Sequence, residues 1–207
     1  MTSPYATSAV KSAVERALAA LLLLGFSPVM AVCWVAIALR DGRPAFYVST
    51  RVGRHGRRFR LLKFRTMRRE AGRAITVGGD PRITPLGARL RRWKLDELPQ
   101  LWNVVRGEMS LIGPRPEDPA FVDEASEAWA EILEVAPGIT GAASVEYFNE
   151  EERLRAASDP IALYRSSILP EKLAIDRLYL SRCSPAGDAR LLLRTVARLF
   201  GAGRHAA

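Results

Sequence analysis

Cysteine and histidine are almost missing from this chain of 207 residues. The two cysteines, Cys33 and Cys183, offer no disulfide framework. The two histidines, His55 and His205, are too few for a histidine-based zinc or iron site. Any metal must therefore be held by oxygens, which points to Mg²⁺, with Mn²⁺ as the alternative. No internal repeat, low-complexity tract or recognisable nucleic-acid motif occurs. Lysine is scarce too, since 27 of the 31 basic residues are Arg. Acids are scarce in one region: residues 40–106 carry 18 Lys or Arg against five acids, whereas residues 107–188 carry 16 acids. With a net charge of +9, this asymmetry calls for an anionic partner: nucleic acid, a lipid surface or a phosphorylated substrate. Charge alone does not choose among them.

From Ala17 to Leu39 charge is absent altogether, over 23 residues. At 1.5 Å per residue such a run is long enough to cross a bilayer core of about 30 Å. It is too long for a signal-peptide core and leads into Arg-rich sequence, so it reads as a retained membrane segment. Ser27-Pro28 interrupts its middle. Proline removes a backbone hydrogen bond and kinks a helix, and the serine hydroxyl can bond a carbonyl one turn back. Lys11 and Arg16 precede the run, and Arg40, Arg43 and Arg51 follow it. Basic flanks on both sides fit a helix that enters and returns. A Pro-kinked spanning helix fits equally well.

Residues 94 to 116 carry the chemistry. Asp96 and Glu97 stand just before Pro99, an apolar helical segment follows, and Gly113-Pro114-Arg115-Pro116 closes the stretch. Acids and proline at a helix start often serve only as caps, and Gly-Pro-Arg-Pro alone is a stiff turn. Together they place a carboxylate pair near a guanidinium on rigid backbone, which suits chemistry on a phosphate ester.

Elsewhere, Phe46-Tyr47-Val48 and Phe59 to Met67 predict a hairpin around a Gly53–Gly56 turn, with basic loops that are solvated or lipid-facing. Leu86 to Trp93 predicts an Arg-rich helix. Arg82, before it, is open to two roles: binding phosphate or bracing its loop. Residues 117–135 predict an acidic amphipathic helix with Phe121, Ala125, Trp129 and Leu133 on one packing face. Pro137 to Gly141 predicts a turn whose amides could bind an anion. Helices are expected over residues 149–157, from Ile168 through about Leu180, and from Leu191 to Phe200. The last has an apolar face that suits either a membrane surface or ordinary packing.

Five ordered motifs, Ser27-Pro28, Lys63 to Met67, Asp80 to Thr84, Leu95 to Pro116 and Pro137 to Gly141, together resemble the bacterial sugar transferases. These are the monotopic phosphoglycosyl transferases, here in their short form. The resemblance implies a mixed, helix-rich α/β fold. A re-entrant anchor over residues 1–43, broken at Ser27-Pro28, would precede a compact cytoplasmic catalytic core over residues 44–207, with a short hairpin and interfacial amphipathic helices. It implies a bacterial inner-membrane enzyme that moves a sugar 1-phosphate from a UDP-sugar to polyprenyl phosphate and releases UMP. Asp96 would be the nucleophile and Mg²⁺ ligand, and Glu97 the base. Lys63, Arg65, Arg82, Arg115, Thr140 and Gly141 would bind substrate phosphates. Inner-membrane lipids are the expected surroundings, nucleic acid is not an expected partner, and a homodimer is left open. Two departures stand out. Glu108 replaces an Asp that many relatives carry. After Gly141 many relatives continue Trp-x-Gln-Val, where this chain has Ala142-Ala143-Ser144-Val145, a stretch placed to shape sugar choice. The rival readings are a glycosyltransferase releasing UDP, a non-catalytic membrane scaffold and a tethered nucleic-acid module.

Overall fold

A computed structural model describes residues 2–68 and 76–202; Met1 and His205 lie outside them. Helix α1 spans Ala9–Arg40, capped at its start by the Ser8 hydroxyl, which accepts from the Val10 amide. Its 32 residues make it about 48 Å long. The expected break at Ser27-Pro28 is not a gap in the helix. Pro28 leaves the Leu24 carbonyl without its usual donor, and the Ser27 hydroxyl donates to that carbonyl at 2.7 Å. The helix therefore continues through the proline.

Both ends of α1 dock on the rest of the chain. Lys11, Glu15 and Ala19 are buried near its start, and Cys33 and Ile37 near its end. Between them Leu21, Leu24 and Val32 are largely exposed. The segment before the helix is tied down as well. The Ser3 amide donates to the Leu180 carbonyl at 2.9 Å, and its hydroxyl to the Cys183 carbonyl at 3.0 Å. By length and composition α1 is apolar enough to cross a membrane.

Strands β1 (Phe46–Val52) and β2 (Arg58–Phe64) form the predicted antiparallel hairpin, in register from Phe46↔Phe64 to Val52↔Arg58. The free edge of β2 is satisfied by Asn103. This side chain accepts from the Leu62 amide at 3.1 Å and donates to the Arg60 carbonyl at 2.8 Å. Asn103 belongs to α3 (Gln100–Val105), which packs Leu101 and Val104 against Ala19 and Leu61. Helix α2 (Pro85–Arg92) starts on a Thr84 cap and crosses β2's continuation closely. A Cβ on Gly87 would lie 2.1 Å from the Thr66 carbonyl oxygen, so only glycine fits. Lys94, at φ 54°, then turns the chain into a 3-10 turn over Leu95–Glu97.

Strand β3 (Ser110–Ile112) pairs in parallel with β4 (Gly138–Thr140). The expected anion-binding turn at Pro137–Gly141 is therefore a strand. The Gly138 amide is spent on the Pro114 carbonyl at 2.8 Å. Its glycines serve close approach, since a Cβ on Gly141 would sit 2.1 Å from the Gly113 oxygen.

The single helix expected over 117–135 is also corrected. Only a 3-10 turn at Pro119–Phe121 and the short α4 (Glu127–Ile132) form. Asp118 accepts from the Ala120 amide and Asp123 from the Ala125 amide, so both carboxylates capture donors that a continuous helix needs. Phe121 and Trp129 are buried, whereas Ala125 is exposed. Helices α5 (Ala142–Glu146), α6 (Glu150–Arg155), α7 (Pro160–Leu163), α8 (Leu169–Arg182) and α9 (Pro185–Ala202) complete the chain, with a π turn between α7 and α8. A second core forms around Phe121, Trp129, Leu154, Tyr164 and Leu180. On α9, Asp188 and Leu191 are buried while Leu193 and Phe200 are exposed.

One buried charge cluster joins α1 to this half. Lys11 pairs with Asp188 and with Glu15 at 3.1 Å. Glu15 accepts from the Ser110 hydroxyl, and Asp188 from the Tyr179 hydroxyl at 2.7 Å. Two buried carboxylates thus share one ammonium. Lys11→Met is expected to cost about 3–5 kcal/mol by leaving both uncompensated. The check is thermal unfolding in detergent: a melting temperature equal to wild type would dismiss the cluster as a structural tie.

Candidate active site

The 3-10 turn over Leu95–Glu97 presents two adjacent carboxylates, both buried: Asp96 is 4% and Glu97 9% exposed. The turn forms because Lys94 adopts the left-handed conformation and Pro99 closes it into α3. Arg115, held between Pro114 and Pro116, forks onto Glu97 with Nη2–Oε1 at 2.6 Å and Nη1–Oε2 at 3.4 Å. Two-pronged pairing of this kind is the strong form of a charged hydrogen bond.

The two acids have opposite fates. Burial alone would raise Glu97, but Arg115, helped by Lys94 and Lys63, outweighs it and holds this carboxyl at about 2. Asp96 is raised, first by burial and then by the neighbouring Glu97, against the pull of Lys63, Lys94 and Arg91. Lys63 is lowered by its own burial, with Asp96 and Glu97 opposing. Neighbouring acids driven apart in this way mark a division of roles. Asp96 Oδ1 is buried and has no hydrogen-bond partner among the described residues.

Beside the dyad lies a cavity of about 820 Å³, within the range of small-molecule sites. Lys63, Arg91, Lys94 and Arg115 line it together with the dyad. Leu18, Leu22 and Phe26 of α1 and Leu192, Val196 and Leu199 of α9 add an apolar wall. One cavity thus offers cations for phosphate and hydrocarbon for a lipid.

Of the residues expected to bind phosphate, Lys63, Arg115 and Thr140 line this cavity. Thr140 Oγ1 lies 2.8 Å from Thr195 Oγ1 of α9. Arg65 turns away and donates to the Asp41 and Gly42 carbonyls, both at 2.6 Å, tying the end of α1 to the hairpin. Arg82 grips Asp80 through Nε at 2.9 Å and Nη2 at 2.6 Å, which favours bracing over phosphate binding. Gly141 packs on Gly113. Ser27 and Pro28 sit in the exposed middle of α1.

Sequence reasoning gave Lys94 no role and read Arg91, on the helix before the dyad, as part of a solvated or membrane-facing surface; both line the cavity. It also missed a polar group that lines the cavity close to Arg115. Tyr164 donates to Glu117, and Lys172 donates to the Tyr164 oxygen at 3.1 Å and to Glu150 at 2.8 Å. These residues lie too far apart in sequence to signal one another.

No cluster of three or more His, Cys, Asp or Glu side chains forms a ready metal cage among the described residues. Mg²⁺ commonly takes one or two carboxylates and leaves its other positions to phosphate oxygens and water. The unpartnered Asp96 oxygen fits that donor set.

Residues 6–202 match the model of the bacterial sugar transferase family, and the chain belongs to that family. A UDP-glucose:undecaprenyl-phosphate glucose-1-phosphate transferase of Caulobacter vibrioides is 37% identical over 196 residues, covering 92% of this chain and 69% of that protein. A protein of the same name from Xanthomonas campestris is 33% identical over 92% of this chain, which spans only 39% of it. The exopolysaccharide production protein ExoY of Sinorhizobium fredii is 31% identical, over 86% of this chain and 87% of its own length.

Asp176 supports the cavity from behind. It is buried on α8 and accepts from the Ala143 amide at 3.0 Å, fixing the start of α5. Burial pushes its carboxyl up to about 6, against the Ala143 amide and Lys172. Because the folded value exceeds the ordinary one of 3.8, the contribution is full below that pH and is lost as pH rises through about 6. Wild type should therefore lose roughly 2 kcal/mol more stability than Asp176→Asn between pH 4 and pH 8. Parallel stability curves for the two proteins would refute this.

Proposed function

We propose that the chain transfers a sugar 1-phosphate from a UDP-sugar to undecaprenyl phosphate through a covalent intermediate on Asp96. The reading is carried by the unpartnered, buried Asp96 oxygen at the edge of a cavity with both cationic and hydrocarbon walls. The names of the Caulobacter and Xanthomonas relatives support the substrates.

In the first step Asp96 attacks the phosphorus joined to the sugar. A carboxylate–phosphorus bond forms, the bond to the bridging oxygen breaks, and UMP leaves with both electrons. Lys63, Lys94, Arg91 and Arg115 hold the diphosphate and spread its charge, the chief demand of phosphoryl transfer. Mg²⁺ held by Asp96 and phosphate oxygens would supply further charge neutralisation. In the second step a phosphate oxygen of the lipid attacks the same phosphorus and frees Asp96. While Arg115 grips Glu97, that carboxylate is a weak base. A phosphate that draws the guanidinium to itself restores its basicity, so Glu97 takes the acceptor's proton only when substrate is in place.

The lipid side fits as well. Ser3 is bonded to α8, and the far end of α1 runs straight into β1. Both ends of α1 therefore stay with the core, which supports an anchor that dips into one leaflet, bending at Pro28, with the core on the cytoplasmic face of the inner membrane. A spanning helix would carry Ser3 to the opposite face, about 30 Å away.

Solubilised protein with Mg²⁺, undecaprenyl phosphate and UDP-sugars should release UMP. Asp96→Asn should remain folded and lose about 10³-fold or more of the rate, and Glu97→Gln about 10²-fold. Release of UDP instead would make the reaction transfer of the sugar alone. Reactive labels placed near Ser3 and near Ser184 should be accessible from the same membrane face, and opposite faces would refute the anchor's proposed course.

A further inference from the structure

Five buried side-chain polar atoms lack a hydrogen-bond partner among the described residues: Thr2 Oγ1, Ser49 Oγ, Arg65 Nε, Asp96 Oδ1 and Ser144 Oγ. Only two belong to residues that line the cavity, Asp96 and Ser144. An unmet buried hydroxyl is costly, and a serine in a helix ordinarily bonds a carbonyl one turn back. Ser144 makes no such bond. A buried hydroxyl left free on a residue that lines a cavity is explained when it rotates about Cα–Cβ to meet a ligand.

Its position indicates which part of a ligand it meets. Ser144 lies on α5, whose start is fixed by Asp176 on the Ala143 amide. Phe148, one turn further on, also lines the cavity, and the Lys94 ammonium sits 5.5 Å from its ring centroid. Lys94 in turn acts directly on Asp96, two residues away. Phe148 thus stands near Asp96 through Lys94, and Ser144, four residues before it, lines the same cavity. Phosphate oxygens there are met by cations. The neutral substituent on the phosphorus that Asp96 attacks is the sugar, whose ring hydroxyls or amide suit a neutral hydroxyl partner and an aromatic face.

We propose that Ser144 is a specificity-determining contact to the hexose of the UDP-sugar, with Phe148 as the surface against which the ring packs. This rests on the sugar-phosphate transfer reading, but its test does not need turnover. Wild type, Ser144→Ala and Ser144→Gln, as full chains in detergent, are titrated with UDP and with UDP-glucose, UDP-galactose and their N-acetyl forms. Ser144→Ala should bind UDP within twofold of wild type, weaken the preferred UDP-hexose three- to tenfold, and flatten the preference among sugars. Ser144→Gln, with a longer side chain at the cavity wall, should lose the preferred UDP-hexose and keep UDP. An equal change for UDP and UDP-hexoses, or no change, overturns the assignment. Discrimination by Ser144→Ala without UMP release from wild type would leave the sugar contact standing and remove the transfer reading. Failure of wild type to bind any UDP-hexose would remove both.

Discussion

Two adjacent carboxylates buried on one turn cannot both stay ionised unless the surrounding structure supplies positive charge, and that constraint organises this protein. Desolvation and mutual repulsion push both acids towards protonation. Lys63 from β2, Lys94 from the left-handed step between α2 and the 3-10 turn, and Arg115 from the proline-locked loop answer with cations. What separates the two acids is geometry. Arg115 forks onto Glu97 alone, so Glu97 is held ionised while Asp96 is left raised and with an open oxygen. Hairpin, α2, α3 and the β3–β4 pair all serve to bring those groups to one place.

On the proposed reading, the second constraint is that a phosphate-handling pocket must also receive a lipid. Helices α1 and α9 supply its hydrocarbon wall, and the Lys11–Asp188–Glu15 cluster fastens the two together. Exposed Leu21, Leu24 and Val32 on α1, with Leu193 and Phe200 on α9, continue that apolar surface outwards. In the proposed reaction this arrangement lets a water-soluble nucleotide sugar and a membrane-embedded phosphate meet at one interface.

Much of this was legible in the sequence. The hairpin followed from two strand-like runs around a glycine turn, and α9 from apolar residues at helical spacing; α2 and α8 also lie where helices were expected. The dyad and Arg115 stood together in one stretch. The misreadings have local causes. Lys63 and Arg65 share a face if the strand continues, but β2 ends at Phe64, so Arg65 leaves the pleat and points at the end of α1. Asp118 and Asp123 broke a helix that hydrophobic spacing alone would have drawn through them. Pro137 to Gly141 carried turn residues whose purpose is close contact with Gly113. The stretch holding Ser144 was marked by its departure from relatives, but its unmet hydroxyl, like the Tyr164–Lys172 group, acquires meaning only from tertiary neighbours.

The covalent route through Asp96 is the central claim, and incubation with a UDP-sugar in the absence of any lipid phosphate tests it most directly. The account predicts a burst of no more than one UMP per chain. It also predicts a sugar-phosphate adduct on the protein, seen by intact mass, labile to hydroxylamine and absent from Asp96→Asn. No UMP and no adduct until undecaprenyl phosphate is added would mean direct transfer between the two substrates, and would contradict the account.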